Sequence, residues 1–233
     1  MYYVMSDVHG DYESLEKMLL QIDFSAEDFL YILGDIVDKG KENLRLLRFA
    51  QYAENVLLLK GNHEYFLERY LKGLISPGLW DACGGEFTRK EVDSLSDEEK
   101  TFLLQYIESL PIYISVTVSG NQYFLTHSGY HADYGVIKPD TGEIDIQASV
   151  DFAMEKDVSG YLFSNDIHHI PASLRFDRKM IVGHYPTIFI PGHEKADIYY
   201  GKKYIDIDTG NERRAEGGRL SCLRLDDGRD FYE

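Results

Sequence analysis

The sequence predicts an α/β protein in which two mixed β-sheets pack as a sandwich, flanked by helices. Its N-terminal part alternates short apolar runs with segments of helical periodicity, which is typical of parallel βαβ units. Its C-terminal half contains short strands joined by turns, which is typical of hairpins. Between these parts, residues 65–110 have helical periodicity. We therefore expect a helical insert that covers one side of the sheet.

Three strands, each followed by a polar loop, open the chain. The predicted strands cover residues 2–5, 29–33 and 55–60, and their loops read S-D-V-H-G-D, G-D-I-V-D-K-G and G-N-H-E. Apolar residues recur at helical spacing after the first two loops, at Leu15, Met18, Leu19 and Ile22 and again over residues 44–52. Three such units in succession predict parallel strands with right-handed crossovers.

The insert is predicted to contain two helices, residues 65–73 and 97–110, around a glycine-rich loop, W-D-A-C-G-G-E-F-T. Ser96 precedes three acidic residues, which is typical of a helix N-cap. The insert is too short and too embedded to form a separate domain. We therefore interpret residues 1–233 as a single domain.

After Pro111 the pattern changes to β. Residues 112–118 and 122–126 predict a hairpin around Ser119-Gly120-Asn121, and it leads into His127. A helix is expected near residues 146–156, and further strands at residues 180–182, 203–207, 219–225 and 229–232. The strand at 180–182 leads into G-H-Y-P, which contains His184.

Composition excludes some classes of function. The formal net charge of −16 disfavours a nucleic-acid binder, because such a surface repels phosphate backbones. No apolar run approaches the roughly 20 residues that a membrane helix needs, and the N-terminus lacks the features of a secretion signal. Cys83 and Cys222 lie far apart without metal-type spacing. We therefore expect a reduced, cytoplasmic protein with no membrane or nucleic-acid partner.

Polar side chains follow five predicted strands: Asp7 and His9; Asp35 and Asp38; Asn62 and His63; His127; and His184. Ligands usually lie at the carboxyl ends of strands in open α/β sheets. Carboxylate, amide and imidazole groups without thiolates suit divalent metals such as Mn²⁺, Fe²⁺ or Zn²⁺. Two metals about 3.5–4 Å apart need a shared ligand, and a carboxylate can bridge them. The pattern predicts a metal centre.

These motifs resemble those of the calcineurin-like metallophosphoesterases. The motifs D-V-H-G, G-D-I-V-D-K-G, G-N-H-E, H-S-G and G-H-Y-P occur in that family's order, and a later I-D-T-G followed by G-G-R-L fits as well. The chain is most similar to the phosphoprotein-phosphatase branch, which includes small bacterial and phage Ser/Thr phosphatases. The resemblance covers nearly the whole chain and implies the metallophosphoesterase fold.

The resemblance implies a role for each matching residue. Asp7 and His9 would hold a first divalent ion, Asp35 would bridge, and Asn62, His127 and His184 would hold a second. Mn²⁺ is the expected metal, with Fe, Zn and Mg as alternatives. A hydroxide that bridges the two metals would attack phosphorus, and His63, oriented by Asp38, would protonate the leaving oxygen. Glu64 is expected to support the site without binding metal.

The chain departs from the family pattern at the positions that bind phosphate. Lys39 stands where these phosphatases usually have Arg, and a lysine offers a point charge instead of a bidentate fork. In the stretch Y-L-F-S-N-D, Asn165 stands where a second arginine is usual, and Arg175 and Arg178 are alternative substitutes. We assign substrate binding to Lys39 and Asn165 and expect reduced affinity for phosphomonoesters.

Three functions remain open at this point. The leading one is a metal-dependent phosphoesterase that acts on phosphoprotein or small phosphomonoesters. The second is a dinucleoside polyphosphate hydrolase of the diadenosine tetraphosphate type, since such enzymes share these motifs. The third is a catalytically weak binding module. We interpret Trp80 as a packing residue and His168 as a surface residue, with a position of His168 and His169 along the cleft as the alternative. The oligomeric state is left open.

Overall fold

The structure, a computed structural model, describes residues 1–233. Its strands are β1 (Tyr2–Met5), β2 (Phe29–Ile32), β3 (Val56–Leu58), β4 (Tyr113–Val118), β5 (Asn121–Thr126), β6 (Met180–Val182), β7 (Tyr199–Tyr200), β8 (Tyr204–Asp206), β9 (Ser221–Arg224) and β10 (Arg229–Tyr232). Its helices are α1 (Tyr12–Gln21), α2 (Asn43–Tyr52), α3 (Asn62–Leu71), α4 (Pro77–Ala82), α5 (Glu86–Asp93), α6 (Asp97–Ser109), α7 (Ile146–Lys156) and α8 (Val158–Leu162). None of the helices combines the length and the apolar character that crossing a bilayer requires.

The strands form two five-stranded mixed sheets, which confirms the predicted fold class. The first sheet has the order β10-β9-β1-β2-β3, in which β1, β2 and β3 are parallel and β9 is antiparallel to its neighbours. The second has the order β4-β5-β6-β8-β7, with β5, β6 and β8 parallel and the edge strands antiparallel. Parallel strands place several carboxyl ends at one edge of each sheet.

The apolar side chains form three layers, because side chains along each strand alternate between the two faces of its sheet. On β1, Tyr3 and Met5 pack against helices on the outer face, whereas Val4 packs in the layer between the sheets. On β6, Ile181 joins the same middle layer while its two neighbours face a layer that contains residues of α7 and α8. Successive side chains of a strand point to opposite faces, so one strand contributes to two layers. The sandwich is therefore held together from the inside and covered by helices outside.

The predicted glycine-rich loop in the insert is wrong, since α4 and α5 occupy most of it. Ser76 accepts a hydrogen bond from the Leu79 amide at 3.3 Å and Pro77 starts α4, a favourable N-terminus for a short helix. Gly84 and Gly85 lie between the two helices. The predicted N-cap at Ser96 is confirmed, because its hydroxyl accepts from the Glu99 amide and Glu99 accepts in return.

Candidate metal and phosphate site

The polar side chains predicted from the strand ends converge between the two sheets. Two groups of three side chains form candidate metal sites, and within each group the ligand atoms lie within 4.8 Å of one another. The first group is His9, Asp35 and His63, and the second is Asp35, His127 and His184. All except His184 are buried, and His184 is half-buried. Asp35 belongs to both sets. A carboxylate shared by two groups of ligands is the arrangement that a two-metal centre needs.

Asp7 completes the first set. Its Oδ1 lies 3.8 Å from His9 Nε2, and Asp35 Oδ2 lies 3.9 Å from the same nitrogen. Asp7 Oδ2 accepts hydrogen bonds from the Ser6 hydroxyl and, at 3.0 Å, from the His184 amide. One oxygen of Asp7 is thus fixed by the protein, and the other is left facing His9.

Asn62 lies at the centre of the second set. Its Oδ1 is 2.9 Å from His127 Nε2 and 2.9 Å from His184 Nδ1. His127 also lies 3.4 Å from Asp35 Oδ1, measured from Nε2. Oxygen and nitrogen ligand atoms thus meet at one point, supplied by a helix N-terminus and by loops after β2, β5 and β6.

Backbone carbonyls orient the imidazole rings. His9 Nδ1 lies 3.0 Å from the Val37 carbonyl oxygen, and His127 Nδ1 lies 2.7 Å from that of Leu33. His184 bonds the Phe163 carbonyl. Each ring donates its N–H to a carbonyl, so the lone pair of its other nitrogen faces the site. At Asn62 these lone pairs face another acceptor, which is unfavourable unless a cation lies between them. The residues present therefore fit bound divalent metal.

Burial favours the uncharged form of the acids and of two of the imidazoles at the site. Burial raises the pKa of Asp7, and it raises the pKa of Asp35 well above its usual value, with His63 opposing and Asp7 and Glu64 adding to the increase. Burial also lowers the pKa of His9 and of His184 well below the usual value. Neutral imidazoles are ready ligands, and a bound dication would offset the cost of ionising the buried acids.

His63 has a different environment from the other rings. Its Nδ1 lies 2.7 Å from Asp38 Oδ2, and its Nε2 faces Asp35 Oδ2 at 3.8 Å. Burial alone would lower the pKa of His63, but the carboxylates of Asp35 and Asp38 outweigh it and raise the pKa. A ring held protonated in this way is suited to donate a proton to a leaving group.

The insert holds the carboxylate of Asp38. Trp80 Nε1 donates to Asp38 Oδ2 at 2.8 Å, and the Thr88 hydroxyl donates to Oδ1. The Asp38 amide donates to Asn43 Oδ1 at 2.8 Å. Sequence reasoning missed Thr88 and assigned Trp80 to packing alone, because no local pattern marks a contact between α4, α5 and the second loop. Trp80 is fully buried, so its packing role is correct but incomplete.

Glu64 supports the second loop, as expected. Its Oε2 accepts from the amides of Asp35 at 2.7 Å and Gly61 at 2.8 Å, and its Oε1 accepts from that of Ile36 at 2.9 Å. The side chain is fully buried. Glu64 thus links the start of α3 with the loop that contains Asp35.

Backbone strain concentrates at the site. Six of its non-glycine residues have φ in the left-handed region, and they are Asp7 (54°), His9 (51°), Asp35 (52°), Asp38 (71°), Lys39 (63°) and His184 (75°). This conformation costs a non-glycine residue roughly 1–3 kcal/mol. Such strain persists where the surrounding structure enforces it, and it aims consecutive side chains into the same small volume.

Of the two predicted substrate residues, the structure brings Lys39 to the site. Lys39 Nζ lies 3.0 Å from His9 Nε2 and 3.3 Å from Glu212 Oε1. It lines a polar pocket of about 380 Å³ with His9, Glu212 and Arg214. Sequence reasoning missed Glu212, which lies 173 positions away along the chain.

Asn165 lies in the loop after α8, near the site but without a contact to its ligands. The neighbouring Phe163 supplies the carbonyl that His184 bonds, and its ring packs against Phe66. The two alternative arginines are engaged elsewhere. Arg178 binds Asp177 at 2.9 Å, and Arg175 donates to the Thr141 carbonyl at 2.6 Å. Neither makes a contact with the ligand sets.

The side chain of His168 is 1% exposed, so of the two expectations the surface position is wrong. Its Nε2 lies 3.5 Å from Asp206 Oδ2, and its ring packs on that of Tyr185, beside His184. Burial, with a smaller contribution from His169, lowers the pKa of His168 to about 4. A buried partner from β8 cannot be read from the local sequence around His168.

A two-sheet sandwich with carboxylate and imidazole groups at its strand ends defines the metallophosphoesterase class. Residues 2–213 match the family model described as calcineurin-like phosphoesterase, and the chain belongs to this family. The resemblance predicted from the motifs is confirmed. The chain is accordingly a hydrolase of the metallophosphoesterase class.

Two relatives illustrate the range of named activities. Serine/threonine-protein phosphatase 2 of Escherichia coli K12 is 30% identical over 226 residues, covering 96% of this chain and 92% of the relative. A symmetrical bis(5'-nucleosyl)-tetraphosphatase of Actinobacillus pleuropneumoniae serotype 3 is 24% identical over 172 residues, covering 72% of this chain and 59% of the relative. Relatives of this chain are therefore named for activities on different substrates.

Solved structures agree on the fold. A putative diadenosine tetraphosphatase superposes with a TM-score of 0.60 at 18% identity, covering 100% of this chain and 92% of the other. A cold-active protein-tyrosine phosphatase of a Shewanella species superposes with a TM-score of 0.58 at 18% identity, covering 99% and 79%. At this identity the likeness concerns the fold alone.

Proposed function

We propose that the protein hydrolyses phosphomonoesters, in the manner of a Ser/Thr phosphoprotein phosphatase, at a centre of two divalent metal ions. The observation that carries the proposal is Asp35, which two groups of ligands share, beside the His63–Asp38 pair. A relative named as a Ser/Thr phosphatase that aligns over nearly the whole chain supports the same substrate class. Mn²⁺ is the metal we expect.

In the proposed reaction, Asp7, His9 and Asp35 would hold one ion, and Asp35, Asn62, His127 and His184 would hold the other. When bound, the metals supply positive charge to the phosphoryl oxygens and lower the pKa of water. Lys39 contributes an ammonium to the phosphate site, and Asn165 contributes an amide from the loop after α8.

His63 supplies the proton for the leaving oxygen. Asp38 keeps Nδ1 of the ring protonated and fixes its plane, so that a proton on Nε2 faces the site. Trp80 and Thr88 hold Asp38 in turn. The His63 pKa, raised by Asp35 and Asp38 against the effect of burial, supports this role.

The second candidate is hydrolysis of dinucleoside polyphosphates. A relative named as a symmetrical bis(5'-nucleosyl)-tetraphosphatase supports it, and so does the absence of the two usual phosphate arginines at Lys39 and Asn165. A binding module without catalysis is the weakest candidate, since all six predicted metal-ligand residues are present.

The test is a substrate panel with metal-reconstituted protein. Protein stripped with chelator and then supplied with Mn²⁺, Fe²⁺, Zn²⁺ or Mg²⁺ is assayed with a phosphoserine peptide, a phosphotyrosine peptide and diadenosine tetraphosphate. Release of inorganic phosphate from a peptide, abolished by chelation and restored by Mn²⁺, is the expected result. Release of nucleotides from diadenosine tetraphosphate alone would favour the second candidate, and activity insensitive to chelation would contradict the metal mechanism.

A further inference from the structure

Lys39, which the proposed function places at the phosphate, forms an ion pair with Glu212. Lys39 Nζ and Glu212 Oε1 are 3.3 Å apart, and the Glu212 side chain is only 10% exposed. On the basis of the proposed function, we infer that Glu212 determines which charge state of a phosphate group the site prefers. It weakens the binding of dianionic phosphate groups at Lys39 and so favours phosphate groups that carry a single charge.

The insert holds the backbone and the base of the side chain of Lys39. Its φ is +63°, and its amide donates to the Gly84 carbonyl in the insert at 2.8 Å. A Cβ at Gly84 would lie 3.0 Å from Lys39 Cγ, so the insert also packs closely against the side chain. The insert therefore directs the ammonium across the polar pocket toward the 3₁₀ helix Asn211–Glu216.

Glu212 is anchored as firmly as its partner. The preceding residue, Asn211, donates from its side chain to the Val8 carbonyl at 2.9 Å, which fixes this segment against the first loop. Glu212 Oε2 is buried and accepts no hydrogen bond. Its other oxygen, Oε1, faces Lys39 and Arg213, and these cations stabilise the carboxylate charge beside the pocket where Lys39 and His9 lie.

Glu212 is also the only carboxylate within ion-pair distance of Lys39. The other contact of the ammonium is His9 Nε2 at 3.0 Å, the lone pair that we assign to the first metal. A cation at that nitrogen would repel the ammonium, which leaves Glu212 as the contact that persists. Glu212 Oε1 also lies 3.6 Å from Arg213 Nε, so this carboxylate pairs with one cation inside the pocket and one outside it.

The negative charge of Glu212 discriminates by phosphate charge. A terminal phosphomonoester carries roughly −1.5 to −2 at pH 7, whereas a diester or an internal phosphate of a polyphosphate carries a single charge. Repulsion by Glu212 grows in proportion to the charge of the ligand. Removing the carboxylate should consequently help dianionic ligands more than singly charged ones.

The experiment compares Glu212→Gln with Glu216→Gln in Mn²⁺-loaded protein at low salt. Glu216 is a matched control, because it lies outside the pocket on the same 3₁₀ helix, is half exposed, and pairs with Arg213, the arginine that also pairs with Glu212. KM is measured for p-nitrophenyl phosphate, a dianion, and for bis(p-nitrophenyl) phosphate, a monoanion. Binding of inorganic phosphate at pH 8 is measured by calorimetry.

For Glu212→Gln we expect KM for the monoester and Kd for phosphate to fall by about 3–10-fold, and KM for the diester by only about 2–3-fold, because the free-energy effect scales with the charge of the ligand. The control should leave all three unchanged. Equal changes for both esters, no change, or the same change in the control would overturn the inference. If no variant turns over either ester, the proposed function fails, and phosphate binding still decides the role of Glu212.

Discussion

His63 contacts an acid through each ring nitrogen, which separates it from the neighbouring imidazoles. His9 and His127 are oriented by backbone carbonyls, whereas His63 is oriented by the carboxylate of Asp38 at 2.7 Å. A neutral carbonyl fixes a ring as a neutral ligand, while a carboxylate favours a protonated ring. The partner of each ring therefore suggests whether it binds metal or moves a proton.

Replacing His63 by Asn should separate these two roles. We expect His63→Asn to retain its bound metal and to lose about 10²–10⁴-fold in kcat, the usual contribution of a positioned general acid. The loss should be smallest for substrates with acidic leaving groups, because these need no proton to depart. Metal content is measured by elemental analysis and kcat with a series of aryl phosphates.

Asp35→Asn is the matched comparison, since it changes a residue that both ligand sets share. That variant should lose metal together with activity. Loss of metal from His63→Asn to the same extent would instead indicate that His63 is a ligand, as its place in the first set of atoms permits.

At the scale of elements, the insert supports the site as well as covering the sheet. Helix α4 supplies Trp80 and α5 supplies Thr88, and both donate to Asp38. A hydrogen bond to a charged group contributes about 1.5–3 kcal/mol to its arrangement. The insert thus orients His63 indirectly, through the carboxylate that it holds.

Thr88→Val keeps the shape of the side chain and removes its hydroxyl. We expect kcat to fall roughly tenfold, with KM and metal content unchanged and with the alkaline limb of the pH–rate profile displaced, because Asp38 no longer holds His63, the general acid, in one orientation. Thr101→Val on the exposed face of α6 serves as the control and should behave like the parent. A change in metal content for Thr88→Val would show that Thr88 maintains the whole site.

Asp177 fastens the segment that carries α7 to the second sheet. Its carboxylate binds Lys138 at 2.7 Å, Arg178 at 2.9 Å and the Ile146 amide at the start of α7 at 3.1 Å. Burial alone would raise its pKa, but Arg178, Lys138 and the Ile146 amide outweigh this effect and lower the pKa of Asp177 to about 2. Asp177 therefore stabilises the fold while it is ionised.

The sign of the resulting pH dependence follows from this pKa. The folded-state value lies below the usual 3.8, so the stabilisation is present above about pH 4 and is lost as the pH falls to about 2. Asp177→Asn should lower the free energy of unfolding by about 1–2 kcal/mol at pH 7, and the difference should shrink on acidification. Urea unfolding across this range measures it, with exposed Asp140→Asn as the control; a constant difference would contradict the assignment.

At the scale of the whole molecule, the three apolar layers connect the sheets and the insert. Leu33 from the second loop, Leu125 and Ile181 from the second sheet and Leu223 from β9 meet in the middle layer. Trp80 and Val92 of the insert pack in the outer layer with β1 and β2. Because strands contribute to two layers, we propose that residues 1–233 unfold as one domain, with residues 65–110 as its helical insert.

Two probes can test this cooperativity. Trp80 is the single tryptophan and lies in the insert, so its fluorescence reports on that part, whereas far-ultraviolet circular dichroism reports on all helices and strands. We expect both signals to change at the same denaturant concentration. Separate midpoints would show that the insert unfolds on its own.

The sequence determined the sandwich, the strands and the residues at their carboxyl ends, because these depend on alternation and on short motifs that a local reading detects. The prediction from sequence failed in the insert. The glycines there suggested a loop, whereas Ser76 and Pro77 start a helix. The motif order also predicted which residues would meet, and the structure brings Asp7, His9, Asp35, Asn62, His127 and His184 together.

Only the tertiary structure decided how this site is supported and charged. Thr88 meets Asp38 across 50 residues, His168 meets Asp206 across 38, and Glu212 meets Lys39 across 173. Each of these partners looks like an ordinary surface or packing residue in its own segment. Contacts between distant segments depend on how layers and loops pack, and that packing leaves no periodic pattern in the sequence around either partner.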